Sequence, residues 1–381
     1  MDRDEVNQEM PLRILQVFAS LDRGGAETMI INLYRKIDRS KIQFDFIANE
    51  SVTAYAYEEE IVAMGGRVYK VPRYRGFNHL NYQAAWRKLL SDHPEWRIVH
   101  GHHTSPAIAY MPVAKSLGRH TIAHSHTLGG ESSLKSNMKR LLRLPVRFIA
   151  DGLFACSESA AEWMFGSKSG QVHIMNNAID VESFAYDERT RAQVRKELGL
   201  EDKFVLGHVG GFKRVKNHMF LIQVFKEVQK LRPGARLLLI GDGGLLNDVK
   251  DKVKQLGLEE FVQFAGVRAD VSSLLSAMDV FVFPSLYEGV PVTLIEAQSA
   301  GLPCIISDTI TNEVFVTALL EALSLSESAH VWAEKISRFS NGYDRKDTSN
   351  EIISAGYDIK QSVTELERFY LNASGALIRN N

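Results

Sequence analysis

The sequence predicts an α/β protein of two Rossmann-like domains, each a parallel sheet flanked by helices. Three observations lead there. The chain has 381 residues, too many for one ordinary core and enough for two α/β domains of roughly 150 to 200 residues each. Short apolar runs alternate with helical patterns along its length, without low-complexity segments or short repeats. The stretch from Asp279 to Asp308, DVFVFPSLYEGVPVTLIEAQSAGLPCIISD, reads as a complete βαβ unit.

In that unit, Val280 to Phe283 is wholly apolar and ends at Pro284, as a strand buried on both faces would. Pro291 stands where a first helical residue is expected, VTLIEAQSA continues in good helix formers, and Gly301 and Pro303 stop the helix. Leu302 to Ile306 is the second strand. Unpaired N–H groups around Val292, Thr293 and Leu294, with the helix dipole, make an anion site suited to phosphate. Two carboxylates flank it, Glu288 in the loop and Glu296 in the helix. An ionised carboxylate only accepts hydrogen bonds, so beside a phosphate it serves sugar or ribose hydroxyls; the plain alternative is two solvated surface charges.

Composition narrows the function. With 45 basic and 46 acidic residues there is no global field favouring nucleic acid. The two cysteines, Cys156 and Cys304, sit in apolar contexts, which fits core packing in a reducing compartment. Apolar runs stay short of the roughly 18 residues of a membrane span, and residues 1–10 read as a polar, disordered tail. A cytoplasmic protein is expected. The one Asp-x-Asp, Asp2-Arg3-Asp4, falls in that tail, so neither a metal nor another cofactor is expected.

The first domain is expected over residues 11–185. Arg13 to Ala19 is its first strand, running through LDRGG into a helix with Met29, Ile30, Leu33 and Ile37 on one side. Gly24 and Gly25 lie at this turn, where a missing Cβ lets a ligand approach the backbone. Phe44–Ala48, Val68–Val71, Ile98–His100, Asp151–Ser157 and Val172–Met175 read as further strands. His100, His102, His103, His124 and His126 cluster without metal-ligand spacing, and the plain expectation is strand-end histidines bonded to backbone. From Leu134 to Leu144 the pattern puts Leu134, Met138, Leu141 and Leu142 opposite Lys135, Lys139, Arg140 and Arg143. Such a basic amphipathic helix suits peripheral contact with acidic membrane through residues 134–147, the alternative being an apolar side packed in the core.

After a charged bridge from Asp187 to Lys203, the second domain is expected over residues 200–359. Phe204–Val209 opens a sheet and leads through GGFKRVKNH to a helix with Phe220, Leu221, Val224, Phe225 and Val228 on its apolar side. Arg236–Ile240 ends in GDGG, where Gly241 and Gly243 would let a nucleotide close to the backbone. Phe261–Phe264 leads to GVRADV. Beyond Asp308 the chain reads as helices, ending in an amphipathic segment with Ile359, Val363, Leu366 and Phe369.

The segment EGVPVTLIEAQSAGLP resembles the donor-site signature of retaining glycosyltransferases of the GT-B fold, in particular glycosyltransferase family four and its bacterial exopolysaccharide and capsule enzymes. The resemblance implies two Rossmann-like domains facing across a cleft, with a last helix over about residues 360–381 crossing back to the first. It implies roles too: Glu288 orients the sugar hydroxyls, Glu296 holds the ribose, and Gly289, Val292, Thr293 and Leu294 form the phosphate seat. Lys216 and Asn217 match the family's diphosphate grip, with Lys213 and Arg214 in the same loop, but Gly211 stands where an Arg is expected. Base contacts fall near Val267 and Arg268, GGAE faces the cleft, and Ala178 replaces a turn glycine. His126, followed by Thr127, matches the residue touching the transferred sugar, and His124 comes second. The catalytic set is then Glu288, His126, His124 and Lys216.

The expected reaction is metal-independent transfer of a hexosyl or N-acetylhexosaminyl group from a nucleotide-diphosphate sugar, UDP foremost, to a saccharide or polyprenyl-linked acceptor in cell-surface polysaccharide synthesis. Its place would be the inner face of the cytoplasmic membrane. A sugar-nucleotide epimerase of the same fold is one alternative, although no extra carboxylate set serves it. A catalytically weak nucleotide-sugar-binding subunit is another, and would account for Gly211.

Overall fold

A computed structural model describes residues 10–50, 54–102, 106–126 and 145–379. The helix expected at 134–144 lies outside the described residues, as do His103, Thr127 and nearly all of the expected tail. The chain divides into two compact units, Met1–Ala178 with Ile359–Asn381, and Ile179–Asp358.

The first unit holds a seven-stranded parallel sheet: β1 (Leu12–Val17), β2 (Ile42–Asn49), β3 (Val68–Val71), β4 (Ile98–Gly101), β5 (His120–Ser125), β6 (Gly152–Ala155) and β7 (His173–Ile174). Their spatial order is β3-β2-β1-β4-β5-β6-β7. Side chains alternate between two cores. Ile14, Phe44, Phe46, Ile122 and Phe154 pack on one face with Leu366 and Tyr370 of the final helix, while Leu15, Val17, Ile47 and Val99 meet Trp86, Trp96 and Tyr110 on the other. The final helix, Ile359–Arg379, is anchored by its Glu367, which accepts from the Asp38 backbone N–H at 2.8 Å. The order reverses between β1 and β4, so the crevice beyond their carboxyl ends is where this topology favours a ligand.

The second unit holds β8 (Val205–Val209), β9 (Arg236–Ile240), β10 (Val262–Gly266), β11 (Val280–Phe283), β12 (Cys304–Ser307) and β13 (Leu320–Leu323), all parallel, in the order β10-β9-β8-β11-β12-β13. Leu237 and Leu239 join one core with Val280, Val282 and Trp332; Leu238 and Ile240 join the other with Phe281 and Phe283. All four residues of β11 are fully buried, which explains their unbroken apolar run. The reversal here falls between β8 and β11.

The structure corrects the reading of the chain beyond Asp308 as helical, because β13 pairs with β12 from Cys304↔Leu320 to Ser307↔Leu323. LEAL lacks β-branched residues and sits half-covered at a sheet edge, so it carries no strand pattern. Ala178 needs no glycine: among the described residues only Asn217 is a non-glycine with positive φ.

Candidate active site

At the β8–β11 reversal two loops meet. The loop after β8 forms a short turn over Arg214–Lys216 and places Asn217 at φ +53°, immediately before the helix His218–Leu231. Asn tolerates this left-handed conformation better than most residues. Its side-chain amide donates to the Pro284 carbonyl at 3.1 Å, and the Leu286 N–H donates to Val215 O at 2.8 Å, so the two loops are tied together. Across that tie Lys216 Nζ pairs with Glu288 Oε1 at 2.7 Å and lies 4.5 Å from the Phe283 ring centroid. Both charged side chains are mostly covered, so this pair is less screened than a surface ion pair. Lys213 and Arg214 are exposed.

The helix Val292–Ser299 starts one residue later than expected, with Pro291 at its cap in extended conformation. The Leu294 N–H is not free as expected, since it donates to the Pro291 carbonyl at 2.9 Å. The N–H groups of Val292 and Thr293 have no partner among the described residues, and the Thr293 hydroxyl is buried without one. Three unpaired donors at a helix start are the kind of group that can take an anion. Gly289 lies in the loop between Glu288 and this helix, and Glu288 itself bridges to Ile310 beyond β12. One turn into the helix, protein atoms crowd the half-buried Glu296 and raise its carboxyl to about 7, with no counter-ion or hydrogen-bond partner among the described residues.

Other expected contacts fare differently. Gly241 and Gly243, with φ of +136° and +156°, serve packing: a Cβ at Gly241 would strike the Gly210 carbonyl, and one at Gly243 would lie 2.7 Å from the Phe212 backbone. The close approach of the loops after β8 and β9 by itself requires glycine at both positions. At Gly211, by contrast, a Cβ would meet only ordinary contacts, the nearest being Asp242 O at 3.5 Å. Val267 is exposed, and Arg268 forms a two-pronged ion pair with Asp270 at 2.6 and 2.7 Å. Gly24 has φ −92° and a Cβ there would meet only the Glu27 side chain, while one at Gly25 would meet nothing. Nothing in the fold requires that pair.

In the first unit four histidines gather at the carboxyl ends of β4 and β5, and they bond side chains instead of backbone. His100 Nδ1 lies 2.6 Å from the Tyr370 hydroxyl and its Nε2 3.2 Å from His124 Nδ1. His102 Nδ1 lies 2.8 Å from His126 Nε2, and its Nε2 lies 2.8 Å from Gln16 Oε1. His124 and His126 stack at 4.0 Å, so both share one side, as strand alternation implied. His100, His102 and His124 each bring a nitrogen within 4.8 Å of the others, close enough to consider a cation. Both nitrogens of His100 and of His102 already have side-chain partners, so a metal would have to break this network.

Sequence reasoning passed over Gln16, Tyr370 and His208. His208 is fully buried, donates from Nδ1 to the Val282 carbonyl at 2.9 Å, and leaves Nε2 without a partner. A polar residue inside an apolar strand was the available signal for Gln16 and His208. Nothing local marks Tyr370.

A partly covered lysine–glutamate pair, a helix start with unpaired donors and a carboxyl raised by burial thus stand on one of two doubly wound sheets. Two such parallel-sheet units are the make-up of glycosyltransferases of the GT-B fold. The model described as Glycosyl transferases group 1 matches residues 190–358, and Glycosyltransferase Family 4 matches residues 23–183. EpsF of Bacillus subtilis (strain 168), whose name classes it with the glycosyltransferases, is 37% identical over 372 residues, 94% of this chain and 96% of that protein. An Escherichia coli UDP-Gal:alpha-D-GlcNAc-diphosphoundecaprenol alpha-1,3-galactosyltransferase is 30% identical over 246 residues, 60% of this chain and 62% of the enzyme. Among solved structures, Anabaena Alr3699/HepE with UDP aligns with a TM-score of 0.73 at 17% identity over 95% of this chain and 100% of that one. The same protein with UDP-glucose aligns at 0.67 and 18%, covering 97% and 98%. The chain belongs to glycosyltransferase family four.

Proposed function

We propose that this glycosyltransferase moves a sugar, with retention and without a metal, from a UDP-sugar to a polyprenyl-diphosphate-linked saccharide. The observation that carries this reading is the Lys216–Glu288 pair at 2.7 Å, tied to the β8–β11 reversal. An ammonium has three donors, so Lys216 can hold Glu288 and a diphosphate oxygen together. As the bond to the sugar breaks, negative charge grows on that oxygen, and Lys216 with the N–H groups of Val292 and Thr293 stabilises it. Glu288 orients the sugar hydroxyls, and Glu296 receives the ribose diol. No enzyme nucleophile is needed if the acceptor attacks from the leaving-group side and the departing diphosphate takes its proton. Base contacts near Val267 come from the backbone, since Arg268 is engaged by Asp270. Gly25 leaves space for the sugar or acceptor, and Gly24 does so where the Glu27 side chain moves aside.

The relatives support the donor and acceptor classes. HepE was crystallised in complex with UDP and with UDP-glucose, and the E. coli relative is named for a diphosphoundecaprenol acceptor. No helix among the described residues is long and apolar enough to cross a membrane. Peripheral contact through residues 134–147 suits a lipid-linked acceptor. Just past that segment, Phe148 is 65% exposed, and the Arg147 and Lys168 cations each lie 4.8 Å from its ring.

The test is incubation with a panel of labelled nucleotide sugars and a polyprenyl-diphosphate saccharide. Transfer that needs the acceptor, with the anomeric configuration kept, is the expected result. A changed sugar on an intact nucleotide would make the protein an epimerase, and binding without turnover would make it a carrier subunit.

A further inference from the structure

Gln16 is wholly buried in β1, and its amide makes two bonds of opposite sense. Its Nε2 donates to the Tyr370 hydroxyl at 3.1 Å, and its Oε1 faces His102 Nε2 at 2.8 Å. An amide oxygen only accepts and an amide nitrogen only donates, so each contact dictates the next. Burial holds His100, His102 and His124 well below the ordinary histidine pKa and His126 at about 3, so each ring is neutral with one proton.

Along one branch, His102 donates from Nε2 to Gln16, which leaves its Nδ1 as an acceptor. His126 must then donate from Nε2 at 2.8 Å, and its Nδ1 has no partner among the described residues. Along the other, the Tyr370 hydroxyl accepts from Gln16 and turns its own proton to His100 Nδ1 at 2.6 Å. His100 therefore donates from Nε2 to His124 Nδ1 at 3.2 Å, and His124 carries its proton on Nε2. The branches end on two buried nitrogens without partners among the described residues, His126 Nδ1 and His124 Nε2.

We propose that Gln16 and Tyr370 are positioning residues that lock all four histidines in the Nε2–H tautomer, so that His126 offers a hydrogen-bond acceptor and His124 a donor to the transferred sugar. The functional half rests on the reading of these two histidines as facing the donor. A sugar hydroxyl can donate to the first ring while another accepts from the second, which discriminates the orientation of a diol as a mixed set of tautomers would not.

Gln16→Glu separates the branches. Its carboxylate still accepts from His102, so His126 stays as it was. It can no longer donate to Tyr370, whose hydroxyl turns to the carboxylate and accepts from His100 Nδ1–H, which forces His124 to carry its proton on Nδ1. Long-range ¹H–¹⁵N spectra of protein labelled in histidine, assigned with single His→Gln variants, read these states directly. Expected are four Nε2–H rings in the native protein, a switch at His100 and His124 alone in Gln16→Glu, and mixed tautomers on that branch alone in Tyr370→Phe. Turnover in Gln16→Glu should fall about tenfold, the worth of one hydrogen bond reversed in the transition state, with UDP affinity within about twofold. A native ring protonated on Nδ1, or an unmoved His124 in a folded Gln16→Glu protein, would overturn the tautomer assignment. A switched His124 with unchanged turnover would instead overturn the contact with the sugar while leaving the network intact. Tyr370→Phe keeps the test open should the carboxylate unfold the core.

Discussion

Glu296 offers a sharp test of the ribose contact, because its environment sets a pH at which binding must change. Its carboxyl is raised to about 7 by burial, with no cation to offset it. Two ribose hydroxyls donate well only to the ionised form, so binding below that pH requires the loss of a proton. The sign follows: affinity is fully present above about pH 7 and falls as the pH drops, by a factor approaching ten per unit. Between about pH 8 and about pH 6 the ionised fraction falls roughly tenfold, which is about 1.4 kcal/mol of binding free energy. Isothermal titration of UDP, in buffers of high and low ionisation enthalpy, measures both the affinity and the protons released. The diphosphate titrates in the same range, so the comparison is with Glu296→Gln, which shares the ligand's titration and lacks the carboxyl. The native protein should lose about tenfold more affinity over this range than the variant. Superimposable pH profiles would remove Glu296 from the nucleotide site.

Glu288→Gln should slow turnover severely while UDP binding holds or tightens, since Lys216 loses its internal counter-ion; comparable turnover in steady-state assays would clear Glu288 of a role. Lys216→Ala should weaken UDP binding by about 1.5–3 kcal/mol, the worth of a charge-assisted hydrogen bond, measured by the same titration. Gly211→Arg adds a Cβ that meets only ordinary contacts and should tighten UDP binding at an unchanged melting temperature, whereas Gly241→Ala drives a Cβ into the Gly210 carbonyl and should lower the melting temperature by several degrees. The protein should co-sediment with acidic vesicles at low salt and not with neutral ones, and replacing Lys135, Lys139, Arg140 and Arg143 by Gln should abolish this. Equal binding to both vesicle types would refute the surface contact.

What could be read from the sequence, and what could not, divides by range. Strands such as Val280–Phe283 announce themselves because a strand covered on both faces must be apolar throughout, and helix starts follow from residues a few positions apart. Glu288 and Glu296 were legible for the same reason, since the loop and helix that carry them are one local unit. Gly241 and Gly243 were visible as glycines, but the packing that requires them was not, because the backbone that excludes their Cβ belongs to another loop, at Gly210 and Phe212. The histidines were visible as a cluster, yet their bonding runs through Gln16 and Tyr370, which are 354 positions apart. LEAL at β13 was lost because an edge strand held mainly by backbone pairing needs no side-chain pattern.

The return of the final helix to the first unit has a consequence for how the chain comes into being. Leu366 and Tyr370 complete a core begun by Ile14, and Glu367 caps a turn at Asp38, so the first unit lacks part of its interior until these residues have left the ribosome. The second unit is contiguous from Ile179 to Asp358 and can close before them. Synthesis usually completes amino-terminal domains first. Here the half made first must wait with an apolar groove open, which makes it the half a chaperone would hold and the half a premature stop would condemn.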